Sequence, residues 1–411
     1  MEYRTTIVLV LTLLPVLHSF QVPPLALDWI SIDCGSTSTA VLDNTTYAIW
    51  ETDELYIQTG ENNNILSTAT KLPQLATLRS FPNGSKNCYN LPLQIQSKYL
   101  IRAGFQYGNY DNLQSPPTFG LQLQSSQIDV NVTTSLDSDP IYHEFIIFTD
   151  DMSVLDVCLI GTQGNQVPFI STLEAAMIDQ KDYRLMPTNK ALYLESRINY
   201  GVDSSVPYRF PPYVEPYNRM WEPQQDPRYV NLYTGSLGPM VLVDEENSPP
   251  DVVMLSAIEA HNTSESIIIP IDFRDKSQVS AYFVLYFDAS AKSLAGGGSR
   301  IVAIYIDGLL INTTQLPVPD FVLVTSGDIV SIYPYKVTGG TTNLTISPAQ
   351  GTSSPAILNA VEVFSVIDMP NKQVTTDAAG AAPNSSPGTF PLQLLVFSYW
   401  LFYFAVYGFR F

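Results

Sequence analysis

Ionisable side chains are scarce in this sequence. Asp, Glu, Lys and Arg together make up 14% of its 411 residues, against about a quarter in an ordinary soluble domain. Basic residues are the scarcer kind, 20 against 39 acidic, for a formal charge of −19. A field of that sign opposes nucleic acid and anionic membrane surfaces and attracts basic ligands. Histidine is rarer still, at 3. His143 and His261 stand far apart, with no Cys nearby and no Gly-x-Ser-x-Gly elbow in the chain. That inventory argues against a hydrolytic triad or a zinc centre. The expectation is a protein that is not an enzyme, with no catalytic residue, no metal and no cofactor. Cysteine is limited to Cys34, Cys88 and Cys158. An oxidising compartment would then give one disulfide and one odd thiol; all three pairings stay open, and stability must come from packed cores. Helical periodicity is lacking too, since no amphipathic run of helical length stands out in the body of the chain.

Ser, Thr, Asn, Gln, Tyr and Pro fill the deficit, as in glycosylated, β-rich extracellular proteins. Residues 1–20 have Arg4 near the start and an apolar run from Ile7 to Leu17, the layout of a cleaved secretory signal peptide. At the other end, residues 369–390 read as a polar stalk and 391–411 as a hydrophobic tail. The tail suits either a single transmembrane span or the terminal part of a GPI-attachment signal, the small residues around Thr376 to Ala382 preceding it; a truncated gene product is the third reading. Asn-x-Ser/Thr triplets at Asn44, Asn83, Asn131, Asn262, Asn312, Asn343 and Asn384 make luminal glycosylation the expectation and place those residues on the surface.

Short runs rich in Val, Ile, Phe and Tyr recur between Pro/Gly/Asn/Ser clusters, which predicts an all-β fold. Tyr99–Phe105, Phe119–Gln124, Glu144–Thr149 and Val154–Ile160 are the clear strands of the first half; Ala281–Asp288, Ile301–Ile306, Phe321–Val324 and Asp328–Tyr333 follow in the second. Phe119, Leu121 and Leu123 alternate as one buried face. Between the halves, prolines interleave with Tyr208, Tyr213, Tyr217 and Trp221, predicting a packed inter-domain brace rather than a flexible tether. Lys98–Tyr107 is echoed by Ser280–Asp288, and Pro168–Ala175 by Pro355–Val363, both offset by about 180 residues. An internal duplication is the economical account. The expected layout is a first lobe over 28–185, a brace over 186–227 and a second lobe over 228–368. His143, beside Glu144, reads as a solvent-facing strand residue. The acidic groups Asp137 with Asp139, Asp150 with Asp151, and Asp244 with Glu245 and Glu246 read as solvated loops without EF-hand spacing.

Ile32-Asp33-Cys34-Gly35, Arg79 to Tyr89, Lys98 to Asp111, Val157-Cys-Leu159, Pro168 to Glu174 and Asn359 to Glu362, taken in this order, resemble the malectin-like region of plant receptor-like kinases. The resemblance covers about residues 28–366 and implies two tandem malectin-like β-sandwich domains joined by the Pro/Tyr-rich brace. No leucine-rich repeat and no His-Arg-Asp or Asp-Phe-Gly motif accompanies it. It implies a cell-surface recognition protein that binds cell-wall carbohydrate or a small basic secreted peptide, with a receptor kinase as partner. Tyr107, Tyr110 and Asp111 fall in the stretch that resembles an aromatic sugar-binding pair. A tyrosine ring covers the apolar face of a pyranose while its hydroxyl bonds the rim. A cell-wall glycoside hydrolase and a structural glycoprotein are the competing readings.

Overall fold

Nearly all regular structure is strand, and the strands run where apolar residues recur with a period of two. The computed structural model describes residues 29–369 except 39–40, 44–45, 67–71, 125–128, 137–138, 163, 165, 205–206, 212–213, 234–239, 243–245, 289–298 and 317–324. The expected leader, the tail, all but the first residue of the stalk, Asn44, Asn384 and the run Phe321–Val324 lie outside the described residues.

One twelve-stranded sheet runs through both halves of the chain. In the first half Lys98–Phe105 lies between Ile141–Phe148 and Thr172–Ile178. In the second, Gln278–Asp288 lies between Thr325–Thr338 and Ala360–Asp368. The duplication read from the sequence is thus a repeated three-strand unit. Lys190–Tyr200, within the stretch expected as brace, joins the two units: it pairs with Ile141–Phe148 on one side and Ala360–Asp368 on the other.

Successive side chains of a strand point to opposite faces, and here both faces are covered. All eight residues of Lys98–Phe105 are buried. Tyr99, Ile101, Ala103 and Phe105 enter the first hydrophobic core, while Leu100 faces a second layer at the seam. Gln278–Asp288 repeats the device: Phe283, Leu285 and Phe287 enter the core of the second half, and Tyr282, Val284 and Tyr286 face the seam. Each core is closed by a four-stranded outer sheet. Over the first lie Lys86–Pro92, Val154–Ile160, Thr118–Leu123 and Val130–Thr133, and over the second Ile267–Asp272, Thr341–Pro348, Arg300–Ile306 and Leu309–Leu316. The result is two β-sandwiches whose inner sheets are continuous.

Of the three cysteine pairings, the structure makes Cys88–Cys158, directly opposed on neighbouring strands of the first outer sheet. Cys34 is a buried free thiol. A disulfide contributes about 2–4 kcal/mol, whereas each fully buried Leu or Phe contributes about 1.5–3 kcal/mol. The two cores therefore dominate the stability.

Candidate functional site

The first candidate lies where Lys98–Phe105 ends and the chain turns through residues 106–117. The turn is held by unusual backbone. Gly108 has φ +49°, and a Cβ there would stand 2.4 Å from the Cβ of Ile65. Asn109, Asn112 and Gln114 also have positive φ, a conformation that Asn tolerates through local side-chain bonds. Asn109 Oδ1 accepts the Gln114 N–H at 2.8 Å, and Asp111 Oδ1 accepts the Leu113 N–H at 3.1 Å. Left-handed residues gathered in one loop mark a conformation imposed by its surroundings, a common trait of ligand-contacting loops.

Tyr107 is 2% exposed and belongs to the first core. Its hydroxyl donates to Asp111 Oδ1 at 2.6 Å and accepts the Ser115 N–H at 3.2 Å. Burial, and then the bond to Asp111, raise the phenol to about 12. Tyr110 is half-buried, its ring centroid 5.7 Å from that of Tyr107 and 5.6 Å from that of Phe169. Burial, and then the charges of Asp111 and Glu61, raise the Tyr110 phenol; Ser80 bonds to it and works the other way. Glu61 is exposed on the neighbouring strand Glu61–Asn64. The structure thus brings Tyr107, Tyr110 and Asp111 together and adds Glu61, which no sequence signal singled out. A partly exposed tyrosine in the field of Asp111 and, more weakly, of Glu61 suits a guanidinium or an ammonium group.

The second concentration of ionisable groups is at the seam, and sequence reading missed it. Glu144 accepts from Arg102 at 2.7 Å and from Arg197 at 2.6 Å. Arg102 also faces Glu174 at 3.4 Å, and Arg197 faces Glu362 at 3.3 Å. The 207–221 segment closes over these groups. Arg219 bonds Glu362 and Glu215, both at 3.0 Å, Arg209 bonds Glu174, and the Asn218 carbonyl accepts from Arg102 at 2.9 Å. The segment is itself tied by paired 3.0 Å backbone bonds between Tyr208 and Trp221. Burial works to raise Glu144, but Arg197 and Arg102 outweigh it and hold the carboxyl at about 2. Four guanidiniums balance four carboxylates, so the cluster is neutral as a whole and offers no free charge to a ligand. Its geometry makes it a joint between the two sandwiches.

Two expectations are corrected. His143 is not solvent-facing: it is 7% exposed, 5.9 Å from the Phe105 ring, with Nδ1 2.8 Å from the Tyr193 hydroxyl. Five successive residues of its strand, His143 to Ile147, are buried, so both faces are covered there; burial, and then Arg274, push the imidazole down to about 3. Glu246 is not solvated either, being 4% exposed and paired to Arg184 at 2.5 Å. Asp137, Asp244 and Glu245 lie outside the described residues, while Asp139, Asp150 and Asp151 are exposed. The sequons Asn83, Asn131, Asn262, Asn312 and Asn343 are all exposed. Among the described residues no group of His, Cys, Asp or Glu could hold a metal ion, and no helix is long and apolar enough to cross a membrane.

The family model described as malectin-like domain matches residues 32–366. An uncharacterized protein of Arabidopsis thaliana is 28% identical over 338 residues, 82% of this chain and 64% of that protein. A putative leucine-rich repeat receptor-like serine/threonine-protein kinase of Arabidopsis thaliana is 30% identical over 374 residues, 87% of this chain and 39% of that protein. The chain thus spans less than two-thirds of the length of these relatives. Among solved structures, the ANX2 ectodomain from Arabidopsis thaliana superposes with a TM-score of 0.63 at 15% identity, covering 83% of this chain and 97% of that one. The plant peptide RALF23 complex with FER and LLG2 supplies another likeness, TM-score 0.59 at 16% identity, covering 82% of this chain and 95% of that one. At such identities the likeness is one of fold.

Proposed function

The chain belongs to the malectin-like domain family, and from that premise we propose that it is a non-catalytic recognition protein at the extracellular face of the plasma membrane, which binds a basic secreted peptide. The observation that carries the choice of peptide over glycan is the state of the Tyr107 site. A sugar-binding tyrosine must offer an open ring face and a free hydroxyl. Tyr107 is 2% exposed, and its hydroxyl already bonds Asp111 and Ser115. Beside it Tyr110 is partly exposed, and its phenol feels the negative charge of Asp111 and, more weakly, of Glu61, a setting that favours Lys or Arg. The net charge of −19 steers the same class of ligand. A solved complex of similar fold holds a plant peptide, which supports the reading without identifying this chain's ligand. A receptor kinase is the natural partner for such a module, and the hydrophobic tail its tether.

The test replaces Tyr110, which packs on the edge of the first core, and the exposed Glu61. Tyr110→Ala and Glu61→Gln are each expected to weaken binding of a basic cysteine-rich peptide roughly fivefold, the scale of about 1 kcal/mol from a partly exposed contact. Glu61→Gln should leave the melting temperature unchanged, since Glu61 is exposed. Unchanged affinity in both variants would remove this loop from the binding site.

A further inference from the structure

An edge strand presents a row of unpaired N–H and C=O groups that a strand of another molecule can join. Among the described residues the two outer sheets have four such edges: Lys86–Pro92 and Val130–Thr133 over the first core, Ile267–Asp272 and Leu309–Leu316 over the second. Two of them carry ordinary protection. Lys86–Pro92 begins with a lysine and ends with a proline. Ile267–Asp272 has Pro270 within it, withholding a donor, and an aspartate at its end. The other two, Val130–Thr133 and Leu309–Leu316, contain neither proline nor a charged residue. Leu309–Leu316 is the more hazardous: it is eight residues long, and Leu309 and Leu310 are 63% and 59% exposed. An uncharged edge of that length with two exposed leucines is a site for pairing with a second copy.

These two unprotected edges are also the two with an Asn-x-Thr triplet inside the strand, at Asn131 and at Asn312. At the protected edges an Asn-x-Ser triplet sits in the preceding turn instead, at Asn83 before Lys86 and at Asn262 before Ile267. Asn131 and Asn312 are both exposed, and the Val130 and Val132 side chains flanking Asn131 turn inward. Asn312 Oδ1 accepts the Thr313 N–H at 2.8 Å, so its Nδ2 is left for a sugar.

We propose that N-linked glycans on Asn131 and, above all, on Asn312 guard the open edges of the outer sheets and keep the protein from associating through Leu309–Leu316. In the linking step, Asn Nδ2 attacks the anomeric carbon of an oligosaccharide carried on a lipid pyrophosphate. The C–N bond forms as the C–O bond to the pyrophosphate breaks; the lipid pyrophosphate leaves with the bonding pair, and the amide proton passes to a base. The bulk and hydration of the glycan then do at these edges what proline and charge do at the other two.

The inference rests on the secretory reading above, and the experiment separates the two. The full chain is expressed in plant cells and purified, glycan occupancy at Asn312 and the other triplets is read by peptide mass spectrometry, and association is followed by sedimentation velocity. The wild type should be occupied and monomeric. Asn312→Gln is expected to associate at a concentration lower by about tenfold or more. Asn343→Gln, on an interior strand of the same sheet, should stay monomeric. Thr314→Ser keeps the triplet and should behave as wild type. Adding Leu310→Lys to Asn312→Gln should restore the monomer, because a charge on the edge replaces the glycan. Asn312 unoccupied while other triplets carry glycan would overturn the inference alone, and no triplet occupied would overturn the secretory reading with it. Occupied Asn312 with Asn312→Gln as monomeric as wild type, or equal association of Asn343→Gln, would overturn the edge-guard role alone.

Discussion

Replacing Glu144 by Gln removes one negative charge from the seam and leaves the side-chain volume almost unchanged. In the wild type Glu144 takes bonds from Arg102 at 2.7 Å and Arg197 at 2.6 Å, and all three side chains are at most 3% exposed. The amide keeps one acceptor oxygen but adds donors that face guanidiniums. The seam is left with an uncompensated buried positive charge, a change that costs about 3–5 kcal/mol when one partner of a buried pair is removed. The carboxyl itself gives a second route to the magnitude. It is held at about 2 against an ordinary 4.5, a depression worth about 3 kcal/mol at neutral pH. Because the folded value is the lower one, this stability is fully present above pH 4.5 and is lost as pH falls through about 2. Urea denaturation followed by tryptophan fluorescence, to which Trp221 at the seam contributes, reads the difference between wild type and Glu144→Gln. It should be about 3 kcal/mol at pH 7 and shrink steadily below pH 4.5. A loss under about 1 kcal/mol, or one that does not change between pH 5 and 2.5, would refute the assignment of a charged joint.

Two further perturbations probe the rest of the structure. Burial pushes Asp288 up to about 7, against the pull of Arg300, and both its carboxylate oxygens lack a hydrogen-bond partner. Here the folded value is the higher one, so the group's stabilising effect is full below pH 3.8 and is lost as pH rises through about 7. Asp288→Asn should therefore melt higher than wild type at pH 8 and lose that advantage at pH 4; a lower melting temperature at pH 8 would contradict the argument. Gly108→Ala places a Cβ 2.4 Å from that of Ile65 at φ +49°, which should lower stability by about 1–3 kcal/mol in denaturant titrations. It should also weaken basic-peptide binding by disturbing Tyr110, and wild-type values in both measurements would sink the link between loop conformation and site.

The sandwich strands were legible because their periodicity is local. Phe119, Leu121 and Leu123 alternate and do line the first core, and Val154–Ile160 has the bounds read from its short apolar run. Lys190–Tyr200 was hidden for a physical reason: its pairing shifts between Leu194 and Ser196, and such a bulge moves later side chains to the other face. His143 was misread because a polar residue beside a glutamate looks like an outer face, whereas an interior strand covered on both sides has none. The seam cluster left no sequence trace at all. Arg102 and Glu144 are 42 residues apart, and Arg219 and Glu362 are 143 apart, so only the topology brings them together. At the candidate site the sequence pointed to Tyr107, Tyr110 and Asp111 but not to Glu61, whose charge acts on Tyr110 from a separate strand. Nor could sequence tell that Tyr107 is buried while Tyr110 is partly exposed.

The central claim is tested most directly by titrating the purified full chain with a basic cysteine-rich secreted peptide, and in parallel with neutral and acidic wall oligosaccharides, at low and at physiological salt. The account predicts saturable peptide binding that weakens as salt rises, with little response to the oligosaccharides. Saturable, salt-insensitive binding of an oligosaccharide with no response to the peptide would contradict it.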